Sequence, residues 1–419
     1  MNLRRFVVMG GAILAAFLFS VWLNAPDLDL DPIAPANLAS ATTEQVRAGE
    51  YLVRVGNCAG CHTAQGGPPF AGGRAIDTPF GAVYSSNLTP HDETGLGRWT
   101  DADFYRAMRH GRSKDDRWLS PVFPYTSYTN LTRADSDAIF AWLRALPPVD
   151  RAQPEATLRS PYELQLATRV WRALYFKPAT DAAIAAMDRG QYLVEGLGHC
   201  GACHTPRDDR GGPIAASRYM GGEIAGLSWD ALPLAGLGDD SRDPEGQELA
   251  ALLKTGVHSR AAVAGPMADV VFNSLQYLRD DDLAAIVSYL RRLPKAEPPA
   301  APRVPRVSDD ERAALRKRGA TIYGEHCAEC HGDDGEGQPR QYPALAGSRL
   351  VTAVSATNAL RLTLDGGFPP STDGNPYPYG MPPFSQALSR ADIAAVLTYI
   401  RSEWGNDAPA VSVVEVERR

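Results

Sequence analysis

Apolar residues recur at helical spacing in three separate stretches of the chain. Apolar positions three and four residues apart predict an amphipathic helix that buries one face. The predicted helices lie within 131–147, 278–294 and 388–404. Their apolar positions are Ile139, Leu143 and Leu146; Leu283, Ile286, Val287 and Leu290; and Ile393, Val396, Leu397 and Ile400. Thr132, Asp280 and Ser389 are the predicted N-caps, and prolines at 147 and 294 end the first two helices.

The N-terminus has a different pattern, with no charged residue from Phe6 to Leu23. A helix of this length measures about 27 Å, just enough to cross a hydrocarbon core of about 30 Å. Arg4 and Arg5 precede the run and acidic residues follow it, so the positive-inside rule places the rest of the chain outside the cytoplasm. We therefore predict an uncleaved membrane anchor over 1–23. A cleaved signal peptide is the alternative, although the sequence after Leu23 is a poor cleavage site.

Upstream of each amphipathic helix lies a second repeated segment, a short predicted helix that leads into Cys-x-x-Cys-His. The copies begin at Arg47, Arg189 and Arg318. Between the two segments of each copy, stretches of roughly 55 to 75 residues rich in Gly and Pro show little periodicity, and loops that long are uncommon in compact domains. We infer that each repeated unit wraps a large ligand.

The repeats divide the chain into three units. Unit one is 46–149, unit two is 189–294 and unit three is 307–405, after the anchor at 1–23 and a linker at 24–45. A connecting segment at 150–188, a proline-rich linker at 295–306 and a tail at 406–419 complete the chain.

Composition narrows the function classes. Of 419 residues, 44% are hydrophobic and 22% charged, which is ordinary globular usage. The net charge of −7 argues against a nucleic-acid partner, because phosphate binding needs a basic surface. The 6 cysteines all fall in the three motifs, so neither a disulfide framework nor a single thioredoxin-type motif is expected.

Cys-x-x-Cys-His is the attachment signature of c-type haem, in which two thiols bind the porphyrin and the histidine coordinates the iron. The cysteines expected to attach three haems are Cys58, Cys61, Cys200, Cys203, Cys327 and Cys330, and the expected iron ligands are His62, His204 and His331. Zinc is the alternative, but zinc sites usually combine two cysteine pairs, or one pair with two distant histidines.

Methionine is the usual second axial ligand in cytochromes c. Met381 in unit three and Met267 in unit two lie in Gly/Pro-rich loops and are the expected ligands, with Met220 as the rival in unit two. In unit one, Phe123 stands where methionine is expected. Met108 is favoured there, and His110 or an open position remain as alternatives.

The exported length resembles the three-haem cytochrome c subunit of bacterial membrane-bound dehydrogenases for alcohol, gluconate, sorbitol or aldehyde. The resemblance rests on three motifs: Asn87-Leu88-Thr89-Pro90 with Glu93 to Gly97 and Trp99, Gly265-Pro266-Met267, and Gly380-Met381-Pro382. It implies that the three motif histidines, Met267 and Met381 ligate iron. It also implies a catalytic partner subunit of flavin, quinone-cofactor or molybdenum type, and ubiquinone or a terminal oxidase as electron acceptor. In having phenylalanine at position 123, the chain resembles the subunits that serve molybdenum-containing oxidoreductases of aldehydes or N-heterocycles.

The predicted fold is mainly α, with three tandem class I cytochrome c-like domains after an N-terminal transmembrane helix. The predicted location is a bacterial inner membrane, with the haem domains in the periplasm. The expected function is non-catalytic electron transfer, because no substrate-oxidising motif is present. A multihaem peroxidase with an open site in unit one is the alternative, and a zinc-binding structural protein is the third hypothesis.

Overall fold

A computed structural model describes residues 41–239, 241–294 and 307–418 of the chain, together with Gly11. The fold is mainly helical, and its strands form two short antiparallel hairpins. The predicted proline-rich linker at 295–306 and residues 24–40 of the predicted linker at 24–45 lie outside the described residues, and a helix already begins at Thr43.

Unit one and the connecting segment contain seven helices and one hairpin in the described residues. The helices are α1 (Thr43–Val55), α2 (Cys58–His62), α3 (Asp101–His110), α4 (Tyr125–Tyr128), α5 (Arg133–Arg144), α6 (Gln165–Tyr175) and α7 (Asp181–Ala185). Strands β1 (Ala75–Thr78) and β2 (Gly81–Tyr84) pair with Ala75 opposite Tyr84.

Unit two repeats this order of a leading helix, a motif helix, a hairpin and a closing helix. Its helices are α8 (Arg189–Tyr192), α9 (Gly201–His204), α10 (Gln247–Thr255), α11 (Pro266–Asn273) and α12 (Asp280–Arg291). Strands β3 (Gly222–Ile224) and β4 (Trp229–Ala231) pair with Gly222 opposite Ala231. A π-helical segment, Leu193–Leu197, follows α8 and contains Gly196 with non-helical dihedral angles. Such a bulge accommodates an extra residue within a helix, and unit two has one residue more than unit one between its Tyr-Leu-Val sequence and its first cysteine.

Unit three is described from residue 307 onward. Its helices are α13 (Asp309–His326), α14 (Ala328–His331), α15 (Arg349–Thr352), α16 (Thr357–Asp365), α17 (Arg390–Ile400) and α18 (Val413–Glu417). The segment predicted as a tail contains α18, and Val411 and Val416 from it are buried in the core of unit three.

The structure does not support the predicted N-terminal transmembrane helix. Across the described ranges, no helix has both the length and the apolar composition required to cross a membrane. The longest, α13, spans 18 residues but begins Asp309-Asp310-Glu311-Arg312. Residues 1–23, on which the prediction rested, lie outside the described residues except for Gly11. The transmembrane helix in the predicted fold class and the single-pass inner-membrane location are therefore unsupported.

The leading and closing helices cross at a glycine in every unit. Gly49 lies against the carbonyl of Ala138, Gly190 against that of Ala285, and Gly319 against that of Ala395. At each position a Cβ atom would overlap the carbonyl oxygen of the closing helix, so the helix backbones approach as closely as only glycine permits. The three units therefore share one packing arrangement as well as one sequence pattern.

Units one and two share a continuous hydrophobic core, which runs from Leu52 to Leu290, whereas unit three has a core of its own. The contact between units one and two is reciprocal. The Tyr51 hydroxyl donates to Asp282 Oδ2 at 2.6 Å, and the Tyr192 hydroxyl donates to Asp135 Oδ2 at 2.5 Å. Because Tyr51 and Tyr192 occupy equivalent places in the two repeats, as do Asp135 and Asp282, the two units pack with approximate twofold symmetry.

Asp282 is held as a carboxylate by this contact. Burial by itself raises its pKa, but hydrogen bonds from Arg189 and Tyr51 outweigh burial and leave the pKa below its ordinary value. A depressed pKa in the folded state means that this stabilisation is present above the unfolded value of about 3.9 and is lost as the pH falls below it.

Replacing either tyrosine is expected to weaken the pairing of units one and two. Tyr51→Phe and Tyr192→Phe each remove one hydrogen bond to a carboxylate, worth about 1–2 kcal/mol of unfolding free energy. Urea denaturation of the full chain measures the loss, and Tyr377→Phe is the control because that side chain is 86% exposed. Equal stability of all three variants would show that the reciprocal bonds contribute nothing.

Candidate haem-binding sites

The three Cys-x-x-Cys-His motifs occupy equivalent places, directly after the leading helix of each unit. Each motif forms one short helical turn: α2, α9 and α14. All six cysteines are free thiols. Burial raises the pKa of Cys58 and of Cys200 to about 12 and that of Cys327 to about 11, with a further contribution from the second cysteine of each pair. These three cysteines are therefore protonated thiols at neutral pH.

The motif histidines are all oriented by a backbone carbonyl. His62 Nδ1 lies 2.7 Å from Ser86 O, His204 Nδ1 lies 2.7 Å from Leu232 O, and His331 Nδ1 lies 2.9 Å from Pro343 O. Since a carbonyl can only accept, Nδ1 carries the proton in each ring. Burial lowers the pKa of all three histidines, more than these hydrogen bonds raise it. A neutral imidazole with its Nδ1 proton fixed in this way leaves Nε2 to coordinate a metal.

This arrangement fits haem c. The thiol pair and the oriented imidazole are the two kinds of group that hold a covalently attached haem iron. A structural zinc site needs four ligands together. Within the ranges that the structure describes, no three His, Cys, Asp or Glu side chains converge as a metal site would require.

The methionines predicted as second axial ligands lie in different settings. The prediction that Met267 lies in a loop is wrong, because Met267 is the second residue of α11 and is partly buried there. Gly265, at the N-cap of this helix, has a φ of 55°. Met381 is held by two backbone hydrogen bonds with Gly367, at 2.8 and 3.0 Å. The rival in unit two, Met220, is buried.

In unit one the predicted candidates lie on α3, and Phe123 lies in the loop before α4. Met108 is 5% exposed within the shared core. His110 is buried, and its Nδ1 has no hydrogen-bond partner among the described residues. Burial, with Arg109, Arg172 and Arg106, lowers the pKa of His110 to about 4, so its ring is neutral at pH 7.

The motifs of units one and two adjoin. The Tyr128 ring packs edge-on against His199, with centroids 5.6 Å apart, and His199 Nε2 lies 3.4 Å from Gly56 O. Burial raises the pKa of Cys203, and the nearby Cys61 of the first motif adds to the shift. Sequence reasoning missed this junction, because the side chains that build it carry no motif of their own.

Comparison with known proteins gives the same result as the geometry. The sequence matches the family described as Cytochrome c over residues 46–147 and 316–404. It is 37% identical over 403 residues to the cytochrome c subunit of alcohol dehydrogenase (quinone) from Gluconacetobacter polyoxogenes, covering 90% of this chain and 84% of that protein. It is 37% identical over 390 residues to the gluconate 2-dehydrogenase cytochrome c subunit of Pantoea cypripedii, covering 87% of each.

A third relative is longer than this chain. A nicotinate dehydrogenase subunit of Pseudomonas putida is 38% identical over 394 residues, which cover 91% of this chain and 32% of that protein. The identity and coverage of the alcohol and gluconate dehydrogenase subunits confirm the resemblance that the motifs indicated. The chain therefore belongs to the cytochrome c subunits of dehydrogenases, a family with covalently bound haem c.

Proposed function

We propose that the chain is a non-catalytic electron-transfer subunit that carries three haem c groups and serves a separate dehydrogenase subunit. The observation that supports this most strongly is the threefold recurrence of a cysteine pair and a histidine whose Nδ1 proton is held by a backbone carbonyl. Each haem, when bound, accepts and releases one electron. The protein supplies attachment, ligation and spacing.

One haem is assigned to each unit, with domains at 46–149, 189–294 and 307–405. The proposed attachment residues are Cys58 and Cys61, Cys200 and Cys203, and Cys327 and Cys330. His62, His204 and His331 are the proposed proximal ligands. Met267 and Met381 are the proposed second ligands in units two and three. Met267 lies in the first turn of α11, after the helix N-cap at Gly265, and Met381 lies in a loop whose backbone pairs with Gly367.

The proposed electron donor is a catalytic dehydrogenase of flavin, quinone-cofactor or molybdenum type, and the proposed acceptor is ubiquinone or a terminal oxidase. The names of the relatives support a dehydrogenase partner. A partner that oxidises an N-heterocycle gains support from the nicotinate dehydrogenase relative. A molybdenum-type partner is proposed because Phe123 resembles the residue found in subunits that serve molybdenum-containing oxidoreductases.

The proposal is tested by isolating the chain with its native partners and adding alcohols, aldehydes, sugar acids and N-heterocycles in turn. One class should reduce the c-type absorption bands in the complex, whereas the separated chain should show no reduction by any of them. Substrate oxidation by the separated chain would contradict a non-catalytic role.

The ligand in unit one is tested by Met108→Ala and His110→Ala. If Met108 ligates iron, Met108→Ala converts one of the three haems to the high-spin state, because a methyl side chain cannot coordinate. His110→Ala then leaves all three low-spin. Electron paramagnetic resonance of the oxidised protein distinguishes the states. Three low-spin haems in Met108→Ala would exclude Met108.

Carbon monoxide separates electron transfer from the peroxidase alternative. A reduced protein with six-coordinate iron at all three sites shows no spectral shift on addition of carbon monoxide. An immediate shift of one haem in the unsubstituted protein would show an open site and favour the peroxidase.

A further inference from the structure

One contact between units two and three is made by the peptide group that orients the third motif histidine. His331 Nδ1 donates to Pro343 O at 2.9 Å, and the backbone N–H of Ala344 donates to Arg260 O at 3.0 Å. Pro343 O and Ala344 N belong to a single amide. The C=O group of this peptide therefore binds the histidine of unit three, and its N–H group binds the backbone of unit two.

The Arg260 carbonyl is held in place by a compact turn in unit two. Val263 N donates to Gly256 O at 2.8 Å and closes the turn, within which His258 N donates to Ala261 O at 2.9 Å. Arg260 N donates to His258 Nδ1 at 3.1 Å, which fixes the residue whose carbonyl faces unit three.

Glu248 on α10 fastens this turn to the body of unit two. Its carboxylate accepts from the Arg260 guanidinium at 2.7 Å and from the Ser259 hydroxyl. Burial by itself raises the pKa of Glu248, but these bonds and the adjacent charges outweigh burial and leave it below its ordinary value. Glu248 is therefore ionised at neutral pH and its bonds to the turn persist.

Further contacts hold the two units in register around this peptide. Asp230 N donates to Asn358 Oδ1 at 2.9 Å, and Asn358 Nδ2 donates back to Asp230 O at 2.7 Å. The Thr372 hydroxyl donates to Thr255 O at 2.9 Å, next to the turn. Unit two thus presents the Arg260 carbonyl to unit three from a fixed position.

Unit two lacks the same arrangement for its own histidine. Its acceptor carbonyl is Leu232 O, and the next residue is Pro233, which has no N–H to donate. The histidine of unit three is therefore oriented by an amide that is hydrogen-bonded on both sides, unlike the histidine of unit two.

We propose that unit two tunes the proximal histidine of unit three through this peptide, with Arg260, fixed by Glu248, as a positioning residue. Hydrogen bonds in series polarise one another, so the bond at Ala344 N–H makes Pro343 O a stronger acceptor. A stronger acceptor makes the His331 imidazole more basic, and a more basic ligand stabilises ferric over ferrous iron. Docking of unit two therefore lowers the midpoint potential of the third haem. The inference rests on the proposed function, which assigns that haem to His331.

The direct test is Ala344→Pro, which removes the N–H donor and leaves the Pro343 carbonyl. Proline after an acceptor residue occurs naturally at Leu232-Pro233, so it is compatible with binding a histidine. Redox titration of the holoprotein should show the third haem shifted to a higher potential, with the other two unchanged. We expect a shift of up to about tenfold in its ferrous-to-ferric ratio, or about 59 mV. The component that disappears in Cys327→Ala/Cys330→Ala identifies the third haem.

A second variant keeps the proposal testable if Ala344→Pro does not fold. Glu248→Ala loosens the turn and should raise the same potential by a smaller amount. Glu245→Ala is the matched control, because it removes the same charge from an exposed position three residues earlier. An unchanged potential in Ala344→Pro, or equal shifts in the two glutamate variants, would overturn the proposal. Fewer than three titrating haems in the unsubstituted protein would instead contradict the proposed function.

Discussion

Gly319→Ala is expected to destabilise unit three by about 2 kcal/mol of unfolding free energy. The new methyl group would overlap the Ala395 carbonyl oxygen and approach Tyr399 Cβ, so α13 and α17 must separate. The cost is large because this crossing supports the core of unit three, where Ile393, Ala394 and Ala395 are fully buried. Urea denaturation followed by tryptophan fluorescence measures it, since Trp404 packs against Tyr323 and Tyr399.

Gly324→Ala is the matched control on the same helix. A Cβ at Gly324 meets no atom within 4 Å. Because alanine is the better helix former, this variant should gain up to about 1 kcal/mol. The two glycine-to-alanine changes in α13 therefore have opposite expected signs. A loss of stability in both, or in neither, would contradict the helix-crossing explanation.

Cys327→Ala/Cys330→Ala is expected to remove about one third of the covalently bound haem, because each motif attaches one haem. The paired changes at Cys58 and Cys61, and at Cys200 and Cys203, should have the same effect. The alkaline pyridine haemochrome spectrum, divided by protein concentration, measures the amount. The thioether bonds are the only covalent links proposed. A unit that lacks its two cysteines therefore keeps no haem after denaturation.

His326→Ala is the control for this second prediction. His326 directly precedes Cys327 but lies outside the Cys-x-x-Cys-His sequence. Its replacement should leave the haem content at the unsubstituted value. A loss of about half in any of the three cysteine variants would indicate two haems, and no loss in one of them would show that its motif is unused.

The closing helices could be predicted well because their signal is local. The expected segments at 131–147, 278–294 and 388–404 contain α5, α12 and α17. Thr132 and Ser389 cap their helices with side-chain bonds, as predicted. Asp280 instead is the first residue of α12, and Arg279 stands at the cap position without a side-chain bond. The first turn of α12 has three acidic residues in a row, and acidic residues are favourable throughout the first turn of a helix. Residue type therefore did not identify where the helix begins.

The groups that orient the motif histidines could not be predicted. They are backbone carbonyls of Ser86, Leu232 and Pro343, and they follow their histidines by 24, 28 and 12 residues. A carbonyl has no residue signature, and loops of unequal length give no common spacing. The glycines at the helix crossings were visible in all three copies, but their role depends on how closely two helices approach.

The packing between units also could not be predicted from the sequence. Tyr51 and Asp282 are 231 residues apart, and neither belongs to a known motif. The sequence repeat aligns Tyr51 with Tyr192 and Asp135 with Asp282. This equivalence was the only sequence feature related to the reciprocal contact. The N-terminal apolar run had a strong hydropathy signal, yet the membrane helix that it predicted is not supported by the described part of the chain.

The central claim is that each of the three units holds one covalently attached haem. The most direct measurement is the intact mass of the full chain after purification and denaturation, which retains only covalent additions. The expected mass is that of the polypeptide plus three haems. A mass corresponding to two haems or fewer would contradict it.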